Sequence, residues 1–101
     1  MVKIEWNQKA KGDLIGIIDY ISDDNPVAAQ NLKNDIDKLV ILLQQFPLMG
    51  RPGRVDSTRE LVVNDHFVLI YSLVSPRKVV ILRVLSSYQS WPNDRPQFAG
   101  S

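Results

Sequence analysis

Between Thr58 and Leu85 three β-patterned runs follow one another with only a few residues between them, and that spacing leaves the chain little topological choice. The runs are residues 58–63, 67–74 and 78–85, and the links Asn64-Asp65-His66 and Ser75-Pro76-Arg77 are built from turn formers. Links so short can only reverse the chain, so neighbouring runs are expected to pair antiparallel as a meander. The middle run places Phe67, Leu69, Tyr71 and Leu73 on one face and Val68 and Ile70 on the other. A strand apolar on both faces belongs at the centre of a sheet. Helices then cover one side, and the other side exposes an apolar, arginine-edged groove of the kind that marks partner sites. The last run divides into Val80, Leu82 and Val84 on one face and Val79, Ile81, Arg83 and Leu85 on the other. The first set is assigned to the helix side. Arg83 then becomes a lone charge on an apolar strand, expected to look onto solvent, a partner or a substrate.

The first half supplies the helices. Val2 to Trp6 alternates apolar and charged residues, as a strand with one wet face does. Asn7 can cap a helix through Ser22, on which Ala10, Leu14, Ile17, Ile18 and Ile21 form one apolar stripe. Gly12 and Gly16 lie opposite that stripe; a solvated face that tolerates glycine and a close approach by a second protomer both account for them. Asn25-Pro26 starts a second helix, asparagine as cap and proline at the first helical position. Its stripe is Ala29, Leu32, Ile36, Leu39, Val40 and Leu43, and Pro47 ends it. The run Leu39 to Leu43 is apolar on nearly every side, so it is expected to touch more than the sheet. The short link Ser22 to Asn25 makes the two helices antiparallel neighbours. The expected fold class is α+β: an N-terminal strand and an antiparallel helical hairpin packed on one face of an antiparallel β-sheet, in the order β-α-α-β-β-β. Residues 1–92 form one domain, and the polar segment 93–101 reads as a flexible tail.

Composition narrows the chemistry. The chain of 101 residues has no cysteine and a single histidine, His66, in a turn. Disulfide, thiolate and histidine-ligated metal sites are thereby excluded, and no cofactor or metal is expected. The segment GRPGR lacks the lysine and hydroxyl residue of a phosphate-binding loop and follows no strand. Asp23 and Asp24 sit at a helix junction, where capping explains them better than acid–base work. MVKIEW has no apolar stretch behind its first charge, and the longest apolar run, Phe67 to Val74, is far too short for a bilayer. A cytoplasmic protein with no membrane partner is the expectation. Residues 1–50 hold five lysines against seven acids, whereas residues 51–101 hold seven basic residues against four acids and all six arginines. Arginine suits carboxylate and phosphate forks, so the second half points to an anionic partner. Arg51, Arg54, Arg59, Arg83 and Tyr88 form a set that could steady a phosphate without a metal, or dock a nucleic acid or an acidic protein segment.

The element order, the loop FPLMGRPGRV, the strand beginning TREL, the core Leu69-Ile70-Tyr71 and the stretch RVLSSYQSWP together resemble the RelE/ParE superfamily of bacterial type II toxins, from Trp6 through Trp91-Pro92. The resemblance implies a toxin that arrests growth until a cognate antitoxin wraps it with a helix or extended segment. Leu39, Leu42, Leu43 and Arg83 are the implied antitoxin contacts. The expected assembly is a homodimer or a toxin–antitoxin hetero-oligomer. RelE-like members cleave mRNA on the ribosome, and ParE-like members poison DNA gyrase. For a ribonuclease the matching residues are Arg59, Arg83 and Tyr88. However, Val68 follows Phe67 where the RelE-like pattern has arginine, Leu61 stands where a second basic residue is expected, and Ser86 replaces a histidine found in many relatives. The departures point to a ParE-like gyrase inhibitor that acts by binding, with Arg51, Arg54, Arg59, Arg83, Ser86, Tyr88 and Trp91 as target contacts. A ribosome-dependent endoribonuclease is the alternative, and an inactive interaction module with the same fold is the third reading.

Overall fold

Phe67–Ser75 forms the long central strand that its two apolar faces require, and the rest of the molecule is arranged about it. The structure is a computed structural model that describes residues 1–87, 89–90 and 95–96. In chain order the elements are β1 (Lys3–Trp6), α1 (Gln8–Asp24), α2 (Pro26–Gln45), β2 (Arg51–Pro52), β3 (Arg59–Val62), β4 (Phe67–Ser75), β5 (Lys78–Ser86), β6 (Gln89–Ser90) and β7 (Arg95–Pro96). Five strands make one sheet in the order β1-β5-β4-β3-β2. The expected meander is present, since β3 pairs β4 and β4 pairs β5, both antiparallel.

Two expectations need correction. The sheet is mixed, because β1 lies parallel to β5, with Lys3 opposite Lys78 and Trp6 opposite Ile81. The helical hairpin separates β1 from the meander, and β5, which ends the meander beside β1, runs in the same direction as β1. The second correction concerns β5. Ile70 pairs with Arg83 and Tyr71 with Ile81, so Leu82 is an extra residue, a β-bulge. A bulge shifts the alternation of the strand by one. Consequently Val79, Ile81 and Val84 enter the helix-side core, instead of Val80, Leu82 and Val84.

Local chemistry fixes the helices as the sequence indicates. The Asn7 side chain accepts the Ala10 N–H at 2.8 Å, and the Asn25 side chain accepts the Ala28 N–H at 3.0 Å with Pro26 next to it. Ala10, Leu32, Ile36 and Leu43 are buried against Leu61, Leu69, Tyr71, Val79, Ile81 and Val84. Leu14, Ile17, Ile18 and Ile21 pack against that cluster from α1. Beyond Ser87, β6 and β7 pair antiparallel, Gln89 with Pro96 and Ser90 with Arg95. The segment expected to be a flexible tail otherwise lies outside the described residues. Among the described residues no helix is long and apolar enough to cross a membrane.

Candidate functional site

The sheet face turned away from the helices carries a groove of about 240 Å³. Strand register builds it: Glu60 and Val62 of β3 lie opposite Ile70 and Val68 of β4, and Val68 lies opposite Leu85 of β5. Val62, Val68, Ile70 and Leu85 make an apolar floor, Arg51 and Arg54 edge one end, and Asn64, Asp65, Ser86 and Ser87 line the other. This is the arginine-edged groove that the pattern of β4 requires. Within it lies a residue that sequence reasoning passed over. The Glu60 carboxylate is almost fully buried, with Oε1 3.3 Å from Arg51 Nη2. Its Oε2 accepts the Arg54 backbone N–H at 3.3 Å and lies 3.9 Å from Arg54 Nε. Both guanidinium side chains stay more than half exposed. The groove therefore presents two solvent-facing cations that share one buried anion. A glutamate within a short β-run between arginines is the signal that could have revealed it.

Arg59 and Arg83 are held elsewhere. Arg59 sits on β3 opposite Tyr71, and its Nη1 donates to the carbonyls of Leu48 at 3.2 Å and Gly50 at 2.7 Å. Tyr71 Oη donates to the Pro47 carbonyl at 2.8 Å and accepts the Gly50 N–H at 3.0 Å. Burial pushes the Tyr71 phenol above its ordinary pKa, against the smaller lowering effects of the Gly50 N–H and the Arg59 charge. Arg83, expected to face solvent, is only 4% exposed. Its Nε and Nη2 donate to Oδ2 and Oδ1 of Asp13 at 2.7 and 2.8 Å, the planar fork that arginine makes with a carboxylate. The same Asp13 Oδ2 accepts the Val84 N–H at 3.0 Å. The reason lies in strand length. β1 pairs with β5 only as far as Ile81, so the edge beyond it has no strand partner and α1 supplies a carboxylate instead. Asp13 is the second residue that sequence reasoning missed, since its role depends on where β1 stops.

The expected antitoxin contacts also separate. Leu43 is wholly buried in the core, Leu39 is half-buried, and Leu42 is exposed. In this part of the molecule the exposed large apolar side chains are instead Ile41, Leu42, Phe46, Leu48 and Met49, at the end of α2 and in the loop after it. Gly12 and Gly16 face open space and line a second depression, of about 390 Å³, with Ile17 and Tyr20. Ser86 borders both depressions. Tyr88 and Trp91, expected at the target surface, lie outside the described residues. Among the described residues no group of three or more histidine, cysteine, aspartate or glutamate side chains converges as a metal site would.

With this geometry in view, the comparisons with known proteins are specific. Residues 4–91 match the family model described as ParE toxin of type II toxin-antitoxin system, parDE. The chain is 41% identical over 90 residues to Y4kP of Sinorhizobium fredii, a protein named as a toxin, covering 89% of this chain and 93% of that one. It is 33% identical over 84 residues to toxin RelE2 of Caulobacter vibrioides, covering 83% and 93% of the two chains. Among solved structures, the chromosomal ParDE toxin–antitoxin system of P. aeruginosa contains a chain that superposes with a TM-score of 0.73 at 29% identity, over 85% of this chain and 96% of that one.

Proposed function

The chain belongs to the ParE toxin family of type II toxin–antitoxin systems, and from that premise we propose that it arrests growth by binding and inhibiting DNA gyrase until a cognate antitoxin covers it. One observation carries the binding reading. The two strand arginines that would serve a ribonuclease are engaged inside the domain: Arg83 forks onto Asp13, and Arg59 holds the carbonyls of Leu48 and Gly50. A guanidinium forked onto the largely shielded Asp13 carboxylate reaches a scissile phosphate only by breaking that pair. What remains available on the groove is suited to recognition: an apolar floor with the exposed Arg51 and Arg54 at its edge and Ser86 at its far end. Arg51, Arg54 and Ser86 are accordingly the proposed target contacts, with Tyr88 and Trp91 following them in sequence. No covalent step is required, because the toxin acts by occupying its target. The proposed site of action is the cytoplasm, where gyrase and ribosomes are both found.

The test is a pair of assays on the purified chain. Supercoiling by gyrase should fall and gyrase-linked DNA breakage should rise as toxin is added, while reporter mRNA on toxin-treated ribosomes stays intact. Unchanged supercoiling and breakage would refute the gyrase target. One observation favours the alternative of ribosome-dependent mRNA cleavage: Glu60 lies in the groove between two guanidiniums. A carboxylate so placed could take the proton of a 2′-hydroxyl while the arginines meet the phosphate. If mRNA is cut, Glu60→Gln should abolish cutting while the protein still binds its antitoxin.

A further inference from the structure

Five large apolar side chains stand exposed within nine residues, from Ile41 and Leu42 on the last turns of α2 to Phe46, Leu48 and Met49 beyond it. Scattered singly such residues need no explanation, but a cluster marks a contact surface. An apolar surface loop is also ordinarily loose, and this one is tied at every residue. Met49 N–H donates to the Phe46 carbonyl at 3.1 Å. Tyr71 Oη bridges the Pro47 carbonyl and the Gly50 N–H, and Arg59 holds the carbonyls of Leu48 and Gly50. Gly50 is required for the seating: a Cβ there would stand 2.8 Å from Tyr71 Cε1 and Oη and 2.9 Å from the Glu60 carbonyl oxygen. A buried tyrosine and a strand arginine thus fix a short loop whose own side chains remain in water.

Charge selects what such a loop can receive. Arg51 and Arg54 follow it directly, with side chains 60% and 56% exposed, and share the single carboxylate of Glu60. The local balance is one positive charge in excess. A nucleic acid would satisfy the arginines and leave Phe46, Leu48 and Met49 in water. A protein segment carrying both carboxylates and apolar side chains satisfies both parts of the surface.

We propose that the stretch Phe46–Arg54 is a preformed seat for an acidic, apolar-sided segment of the antitoxin, with Leu48 and Met49 as anchors and Arg51 and Arg54 as carboxylate partners. This rests on the antitoxin partnership proposed above and adds where, and by what chemistry, the toxin is held. A loop ordered before binding avoids the ordering cost that flexible contact surfaces carry.

The test is isothermal titration of a cognate antitoxin into the folded toxin, with melting curves confirming that each variant is folded at the assay temperature. The paired change Leu48→Ser with Met49→Ser should weaken binding roughly 10- to 100-fold. Arg51→Ala with Arg54→Ala should weaken it roughly tenfold and flatten its salt dependence. Tyr71→Phe leaves every exposed side chain in place, yet should weaken binding severalfold and speed exchange of the Gly50 amide. Wild-type affinity in the Leu48/Met49 variant overturns the proposal. So does a result in which the arginine variant loses affinity for a 20-nucleotide single-stranded RNA while its antitoxin affinity stays unchanged. If the wild-type chain itself fails to bind the antitoxin, the partnership fails, and the wild-type titration distinguishes that outcome from a misplaced seat.

Discussion

Arg59 and Arg83 come from the same arginine-rich half of the chain as Arg51 and Arg54, and they end in opposite circumstances. Arg59 opens the four-residue strand β3 and Arg83 lies inside the nine-residue strand β5, where backbone carbonyls and a helix carboxylate stand within reach, and both are engaged in holding the fold. The second two lie on and just beyond the two-residue strand β2 at the sheet edge, and their side chains remain more than half exposed around Glu60. The contrast shows that an arginine count locates a charged half but not a charged surface. What decides exposure is whether nearby polar groups lack partners. The N–H of Val84 and the carbonyls of Leu48 and Gly50 are such groups, and the carboxylate or guanidinium that satisfies them is drawn inside.

The sharpest way to break this distinction is to remove Asp13. Asp13→Ala leaves the Arg83 guanidinium buried without its carboxylate and the Val84 N–H without its acceptor. The expected loss is roughly 3–5 kcal/mol, a large share of the 5–15 kcal/mol typical of a small domain. Urea unfolding followed by circular dichroism measures it directly. Adding Arg83→Met to Asp13→Ala should restore part of the loss, since a buried guanidinium no longer lacks its carboxylate. A loss below about 1 kcal/mol for Asp13→Ala would mean that Arg83 behaves as a surface charge, and the contrast would dissolve.

Tyr71 offers the next largest effect. Tyr71→Phe strands the Pro47 carbonyl and the Gly50 N–H, for a loss of about 1–3 kcal/mol. The phenol also makes the loop sensitive to alkali. Its pKa in the folded state is raised, so folding favours the protonated form. The associated stability is complete below the ordinary tyrosine value of about 10 and declines as the pH climbs beyond it. Unfolding midpoints of the wild-type chain should therefore fall more steeply above that pH than those of Tyr71→Phe.

Much of this architecture is legible in the sequence, and the misses have specific physical causes. The three runs after Thr58, the asparagine caps at Asn7 and Asn25 and the central position of β4 follow from periodicity and turn chemistry alone, which act over a few residues. The bulge at Leu82 left no such trace, because an extra residue in an all-apolar run changes no pattern that can be read. Its consequence was to exchange Val80 and Leu82 for Val79 and Ile81 in the core. Arg83 was misplaced for a longer-range reason: its partner is 70 positions away and faces it only because β1 ends at Trp6. Leu43 was assigned to a partner because an apolar run looks the same all round the helix, whereas burial distinguishes it from Ile41 and Leu42. The groove itself was anticipated; Glu60 within it was not, since a single acid on a short strand reads as an ordinary wet-face residue.

The smallest expected effect tests the exposed pair. Arg51→Ala and Arg54→Ala should each change stability by about 0.5 kcal/mol or less, because removing one guanidinium leaves Glu60 the other and the Arg54 backbone N–H in either case. The double change is different. It leaves a nearly buried carboxylate with a single backbone donor, so the pair should cost more than the two single losses added together. A coupling of roughly 0.5–3 kcal/mol in a double-mutant cycle would place both guanidiniums on the same carboxylate in solution. Strict additivity would instead show that they serve Glu60 independently, and the groove's edge would then be two separate charges and not one shared site.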